Sequence, residues 1–278
     1  MYKKFKSQSE ELFALYLDGL GLVWEYEKEW KTKKPDFTIY ANSAKKKIVA
    51  IAEVEDLDFT PEEKKLLKEN KMVARSTDPY TKLREKINTA REQLRYSKDY
   101  PCLLIIGENM TLSSPMIVYG AMLGDITISI PIWNGNVPPK GKQRSYFGKR
   151  GKMIDQKGQR IQNTTITAIG FLKLIRPEAI TCGYEKELSR ILDKLDITKD
   201  EDNRKYFLAA DELKASLNKK GFDLDKLVPS IDFIINPFSR KNFPKRSFYK
   251  PYSYAHTYNL KSGKITLSCD WSRRSIKL

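Results

Sequence analysis

The chain has 278 residues, with 51 Lys or Arg against 35 Asp or Glu, and a formal net charge of +16 at pH 7. This length allows one large domain or a domain with an added unit, and the excess of cations favours a polyanionic partner, either nucleic acid or an anionic membrane surface. A lysine-rich composition without any such partner is the alternative. No apolar run approaches the roughly 20 residues that span a bilayer, and the basic N-terminus lacks the apolar segment of a secretory signal.

The number and spacing of the cysteines indicate in which cellular compartment the protein is expected. Cys102, Cys182 and Cys269 lie far apart and are odd in number, which fits a reducing environment better than a disulfide framework. No Cys-X-X-Cys pair is present and His256 is the only histidine, which argues against a structural zinc finger. We therefore expect a cytoplasmic protein that does not cross a membrane.

The first third of the chain predicts one helix and three strands. Residues 8–20 place apolar side chains at helical spacing after a serine, which predicts an amphipathic helix. Alternating residues predict a strand over 23–30, and two further strands are predicted over 38–40 and 48–54.

The next elements extend this sheet. Residues 60–70 predict a short charged helix with Pro61 at its first position. Residues 79–96 predict a longer helix whose apolar stripe is Leu83, Ile87, Ala90 and Leu94. Residues 101–107 are almost continuously apolar, as in a buried central strand. A strand, a helical crossover and a buried strand predict an α/β fold, with a mixed sheet covered by helices.

The second half of the chain contains a basic segment between two predicted strands, residues 126–133 and 164–174. Residues 135–160 hold eight basic residues, five glycines and one acid, which predicts a mobile loop or an extended hairpin that clamps phosphates. A solvated loop without that role is the alternative.

The C-terminal region combines helices with an aromatic segment. Residues 184–227 are predicted to be helical, and residues 237–260 contain no acid and alternate cations with aromatic rings. Such rings either stack on nucleic-acid bases or close the C-terminal core. The predicted division is a core over residues 1–175 and a C-terminal α+β region over residues 176–278.

Three acids lie on the predicted hairpin of the first half, and a tight antiparallel pair of its strands would bring their carboxylates together. Asp36 begins one strand, and Glu53 and Glu55 lie near the end of the next, on one face because strand residues alternate. Such a group is costly on an apolar hairpin unless a cation lies between its members, and a hard divalent cation is the simplest candidate. Each acid taken alone has a structural alternative, namely a strand start at Asp36 and a solvated face at Glu53 and Glu55.

An acidic first helix, a Pro-Asp strand start and a Glu at the end of the next strand resemble the PD-(D/E)xK nuclease superfamily, which has the restriction-endonuclease-like fold. The likeness covers roughly residues 8–107. Asp36 matches the first metal-binding acid and Glu53 the second, seventeen residues later. Glu10 matches a helix glutamate found in many members, with Glu11 as the alternative.

Glu55 departs from that family, because it stands where lysine is usual. The resemblance implies Mg²⁺ or Mn²⁺ as the cofactor, bound by Asp36, Glu53 and Glu10, with Glu55 as general base or ligand of a second metal. Lys82 or Lys86 on the helix after the hairpin could supply the displaced cation.

The resemblance implies a metal-dependent DNA endonuclease that acts in restriction, defence, repair or mobile-element processing. A homodimer is expected if it cuts both strands, and a helicase, methyltransferase or transposase subunit is a possible partner. The residues expected to bind nucleic acid are Lys82, Lys86, Lys149, Arg150, Arg240, Lys245 and Arg246. The alternatives are a non-catalytic nucleic-acid-binding protein with a degenerate nuclease fold and an RNA-directed nuclease.

Overall fold

The structure is a computed structural model. It describes residues 5–45, 47–57, 65, 79–107, 115–124, 126–129, 144–147, 151–152, 161, 163–178, 182–193, 195, 200–248, 253–259 and 264–268. Apart from residue 65, the helix predicted over residues 60–70 lies outside these residues, as does most of the basic segment 135–160.

The helices among the described residues are α1 (Gln8–Asp18), α2 (Pro79–Leu94), α3 (Pro115–Leu123), α4 (Tyr184–Leu192), α5 (Asp200–Lys219) and α6 (Lys245–Phe248). None of them is both long enough and apolar enough to cross a bilayer.

The strands are β1 (Val23–Tyr26), β2 (Phe37–Tyr40), β3 (Ile48–Asp56), β4 (Cys102–Gly107), β5 (Ile126–Ser129), β6 (Arg144–Phe147), β7 (Ile166–Ile175), β8 (Val228–Ile235), β9 (Tyr254–Asn259) and β10 (Lys264–Ser268). Within the described part of the chain, eight of them form one sheet in the order β1-β2-β3-β4-β7-β8-β9-β10, and β5 pairs with β6.

The sheet is mixed, which confirms the α/β class with a mixed sheet that the order of predicted elements indicated. β1, β2 and β3 are antiparallel neighbours, whereas β3, β4 and β7 run parallel. The parallel step from β3 to β4 requires a crossover, and α2 lies within it. All six residues of β4 are buried, as its apolar sequence predicts.

Two apolar cores cover the two faces of the sheet. One contains Phe13, Tyr16 and Leu17 of α1, together with Phe37 and Phe233. The other core is built on α2 and α3, and it includes the whole predicted stripe of Leu83, Ile87, Ala90 and Leu94. The stripe is buried because residues at i, i+4, i+7 and i+11 lie on one side of a helix.

Helix α3 and strand β8 are among the elements that were missed in the sequence. Helix α3 has apolar residues on all sides and therefore no helical period. Strand β8 follows directly after a helical region and carries Pro229 near its start, which weakens a strand assignment.

The chain divides into two compact units, one formed by residues 1–173 with 231–278 and the other by residues 174–230. The predicted boundary at residue 175 lies close to the start of the second unit. Residues 231–278, however, return to the first unit and do not form a separate C-terminal region. The second unit contains α4 and α5, with a small core around Leu217 and Leu224.

Candidate functional site

The register of the central hairpin places Asp36 across from Glu53. Phe37 of β2 pairs with Ala52 of β3 in antiparallel register, and one further step along both strands leads to these two acids. Glu55 lies two residues further along β3, on the same side of the sheet as Glu53. The hairpin therefore brings together the three carboxylates that the sequence singled out.

Asp36 is buried, with 6% of its surface exposed. Its Oδ2 accepts a hydrogen bond of 2.8 Å from the backbone N–H of Val54. Burial raises the pKa of Asp36 above its ordinary range, the Val54 N–H acts in the opposite direction, and the charge of Glu10 adds to the rise. The backbone contact fixes the carboxylate at the hairpin end but does not compensate for its burial.

Glu53 is the least satisfied of the acids. It is 7% exposed, and its buried Oε2 has no hydrogen-bond partner among the residues that the structure describes. Burial raises the pKa of Glu53 strongly, and the charges of Asp36 and Glu55 act in the same direction. A buried carboxylate oxygen without a donor carries a large desolvation cost, and a cation or a proton would relieve it.

Glu10 is the fourth acid near Asp36, and it lies on α1, the helix whose apolar residues belong to the core around Phe37 and Phe233. Ser7 caps α1 by accepting a hydrogen bond from the Glu10 backbone N–H. The Glu10 side chain is 5% exposed, and its Oε2 accepts hydrogen bonds from the Lys6 N–H at 2.7 Å and the Tyr26 hydroxyl at 2.6 Å. Glu11, the alternative, points outwards and is exposed. The structure thus favours Glu10 as the helix acid near Asp36.

Glu55 contacts a lysine from α2. The Nζ of Lys86 lies 2.6 Å from Glu55 Oε2, and the two side chains are 33% and 15% exposed. Lys86 is one of the two residues proposed from sequence as a displaced cation. Lys82 lies one turn earlier on α2 and is partly exposed.

The start of α1 is joined to the end of β3 by a hydrogen bond, next to the last residue of β4. The Ser9 hydroxyl donates a hydrogen bond to Asp56 Oδ1. Gly107, the last residue of β4, pairs with Asp56, and a Cβ at position 107 would overlap the Ser9 side chain and the Asp56 carboxylate. Glycine is therefore needed for this close approach, which positions the neighbouring Glu10 relative to β3.

Carboxylate oxygens are suitable ligands for a hard cation, although these acids do not surround a single position with a complete set of ligands. Over the described ranges, no three His, Cys, Asp or Glu side chains are grouped so that they could hold one ion. Mg²⁺ is usually held by only one or two carboxylates, with water and substrate phosphate as its other ligands. The buried pair of Asp36 and Glu53, with an unpartnered oxygen, fits that kind of site.

Arg240, one of the other predicted nucleic-acid contacts, lies away from the carboxylates. Arg240, Lys245 and Arg246 are exposed. The backbone N–H of Arg240 donates to the carbonyl of Thr164, just before β7 begins. Because β7 runs parallel to β3, this is the strand end away from Glu53. Lys149 and Arg150 lie outside the described residues.

Two aromatic side chains proposed as possible base-stacking groups belong to the core. Phe243 and Phe248 are buried, and both contact Phe233, with ring centroids 4.7 and 5.6 Å away. For these two rings, the core interpretation of the aromatic segment is the correct one.

Sequence reasoning missed three residues around Asp36, namely Lys6, Tyr26 and Glu27. Tyr26 binds Glu10 through its hydroxyl. The Glu27 N–H donates to the Asp36 carbonyl at 2.8 Å, and the Glu27 carboxylate pairs with Lys6. The positive φ of 52° at Glu27 turns the chain out of β1, and no residue type in the sequence marks that turn.

Comparison with known proteins adds no relative from which a role could be transferred. No protein-family model, curated protein or solved structure matches this chain.

Proposed function

We propose that the chain is a divalent-metal-dependent endonuclease that hydrolyses phosphodiester bonds in DNA. The observation that carries this proposal is the buried pair of Asp36 and Glu53, in which Glu53 Oε2 has no hydrogen-bond partner in the described part of the chain. Two neighbouring buried carboxylates, in which the charge of Asp36 raises the pKa of Glu53, are expensive in a purely structural role. A bound cation offsets that cost and gives the pair a function.

The element order supports a restriction-endonuclease-like core. Helix α1, the antiparallel strands β1 to β3, the crossover helix α2 and the parallel strand β4 follow one another as in the superfamily that the sequence resembles. In such a core, the acids of the hairpin would be the metal ligands.

Asp36 and Glu53 would hold Mg²⁺ or Mn²⁺, and Glu10 would assist through a water molecule. When bound, the ion would activate water and neutralise charge that develops on the phosphate. The chain's own groups then have distinct tasks. The Val54 N–H fixes Asp36, and the Tyr26 hydroxyl fixes Glu10.

Glu55 is the proposed general base or the ligand of a second metal ion. It is less buried than Glu53, and its partner Lys86 holds the carboxylate in one orientation. Lys86 also keeps a positive charge within hydrogen-bond distance of the hairpin, where the superfamily usually has a lysine of the strand itself.

DNA is the proposed substrate because the chain carries a net charge of +16. Supercoiled plasmid with Mg²⁺ or Mn²⁺ should be nicked or linearised, and single-stranded DNA and RNA should be assayed in parallel. Asp36→Asn should abolish cutting and retain binding, whereas Glu29→Gln, which removes an exposed acid of the same region, should cut normally. Equal cutting by the Asp36→Asn protein would refute the site.

A non-catalytic nucleic-acid-binding protein is the second candidate. The observation that favours it is the Glu55–Lys86 pair, which neutralises the acid at the position of the family's lysine. Salt-sensitive binding without cleavage of any DNA or RNA, at any divalent ion tested, would support this candidate over the nuclease.

A further inference from the structure

Residues 5–7, which precede α1, form a short arm that is fixed to the carboxylate end of the hairpin. The Phe5 ring contacts three aromatic rings, with centroid distances of 5.9 Å to Trp24, 5.2 Å to Tyr26 and 6.2 Å to Phe37. Phe37 directly follows Asp36 in the chain. Aromatic packing of this kind anchors Phe5, so the next residue is held close to Asp36.

Hydrogen bonds determine where Lys6 lies. Its backbone N–H donates to Glu10 Oε2, the oxygen that also accepts from the Tyr26 hydroxyl. Its ammonium pairs with the Glu27 carboxylate, and the Glu27 N–H in turn donates to the Asp36 carbonyl. The Lys6 ammonium is therefore linked to Asp36 through Glu27, by an ion pair to its carboxylate and a hydrogen bond from its backbone N–H.

We propose that Lys6 is a substrate-positioning residue, whose ammonium exchanges Glu27 for a phosphate oxygen of a nucleic-acid strand bound at Asp36 and Glu53. This inference rests on the proposed function and names one contact of the same site.

The ion pair that holds Lys6 is easily exchanged. The Lys6 and Glu27 side chains are 65% and 36% exposed, and ion pairs at that exposure contribute little to stability. A phosphodiester is another anion that can pair with the Lys6 ammonium, because its oxygen atoms accept hydrogen bonds from the ammonium N–H groups. Exchange therefore costs the folded protein little.

The charges around Lys6 keep it positive. The hydrogen bond to Glu27 raises the pKa of Lys6, and the charges of Asp36 and Glu10 act in the same direction. Conversely, Lys6 acts to lower the pKa of both Asp36 and Glu53. Lys6 is thus a cation within electrostatic range of the buried pair.

Lys86 is less available for the same task. Its partner Glu55 is 15% exposed, and the separation of 2.6 Å places the ammonium in direct contact with that carboxylate. A half-buried, hydrogen-bonded pair is costlier to break than an exposed one, because the remaining acid would lose its partner in a less solvated position. Lys6 and Lys86 therefore have different tasks, phosphate contact for the first and orientation of Glu55 for the second.

The test measures how nucleic-acid binding depends on salt, without relying on cleavage. Full-length protein with Asp36→Asn is titrated with a short DNA duplex in a chelating buffer over a range of salt concentrations. Adding Lys6→Ala should lower the magnitude of the log–log salt slope by about 0.9 on duplex DNA, because one phosphate contact is lost. Lys6→Arg should restore the slope.

Lys28→Ala is the matched control, since Lys28 is an exposed lysine of the same region that pairs with Glu25 and donates to the Tyr40 hydroxyl. It should leave the slope unchanged. Glu27→Gln should tighten binding severalfold, because it removes the anion that competes with phosphate.

A Lys6→Ala slope equal to that of the control, the absence of salt-dependent binding, or weaker binding by Glu27→Gln would overturn the inference. Cleavage is scored separately on the otherwise wild-type protein. If that protein does not cut but Lys6→Ala lowers the slope, the nuclease proposal fails and the Lys6 contact stands. If it cuts and the slope is unchanged, only the Lys6 inference fails.

Discussion

The ammonium of Lys86 on α2 lies 2.6 Å from the carboxylate of Glu55 on β3. This contact joins the helix of the crossover to the strand that carries Glu53. It also places a lysine beside the one position where the chain departs from the motif that it resembles.

Removing Lys86 should impair both stability and cleavage. Lys86→Ala leaves a half-buried carboxylate without its cation, so we expect the free energy of unfolding to fall by about 1 kcal/mol and cleavage by tenfold or more. Urea denaturation and a plasmid-nicking rate measure the two effects. Lys205→Ala, which breaks an exposed helical pair with Glu201, should change neither, and wild-type cleavage by Lys86→Ala would contradict the role of the pair.

Neutralising Glu53 should stabilise the metal-free protein at alkaline pH. Glu53→Gln keeps the shape of the side chain and removes the charge that burial and the neighbouring acids disfavour. Its midpoint of thermal unfolding at pH 8 in a chelating buffer should exceed that of the wild type. The control Glu29→Gln alters an exposed acid and should have no such effect, and a lower midpoint for Glu53→Gln would show that the carboxylate is satisfied after all.

The metal-free protein should lose stability as the pH rises. The folded pKa of Glu53 lies above its unfolded value, so between the two values the folded state binds a proton that the unfolded state has released. Raising the pH through this window therefore favours unfolding, by at most about 1.4 kcal/mol per pH unit for each such proton. Asp36 acts with the same sign. Chemical denaturation between about pH 5 and pH 8 should show the decline, and Glu53→Gln should flatten it.

A divalent cation should stabilise the folded chain. Mg²⁺ binding to the native state alone adds RT ln(1 + [Mg²⁺]/Kd), which is about 1.4 kcal/mol at ten times Kd. We expect Mg²⁺ or Mn²⁺ to raise the unfolding midpoint of the wild type at pH 8, while Na⁺ at matched ionic strength should not. Asp36→Asn and Glu53→Gln should both lose the response, and an equal response in all three proteins would place the ion elsewhere.

Gly107 should not tolerate a side chain. Gly107→Ala would place a Cβ on the Ser9 side chain and the Asp56 carboxylate, so we expect a loss of about 1–3 kcal/mol in the free energy of unfolding. The double variant Gly107→Ala, Ser9→Gly should recover part of that loss in the same denaturation experiment. Full stability of the single variant would mean that α1 can move away from β4.

The sequence by itself determined the elements with a strong period or a continuous apolar run. The buried strand β4 and the stripe of α2 could be predicted because each pattern reports local geometry and burial at once. Asp36, Glu53 and Glu55 could be singled out because acids are unusual within an apolar hairpin. Helix α3 escaped prediction because a fully buried helix has no polar face to mark its period.

Only the tertiary structure decided which partner each acid has. The pairing of Lys86 with Glu55 spans 31 residues and depends on where the crossover packs α2. The approach of Lys6 to Asp36 depends on the turn at Glu27 and on the anchoring of Phe5, which involve three separate segments. The packing around Glu53 likewise decides that its Oε2 is buried without a hydrogen-bond partner among the described residues. A sequence pattern states which residue types are present, whereas solvation and charge pairing are properties of the assembled surroundings.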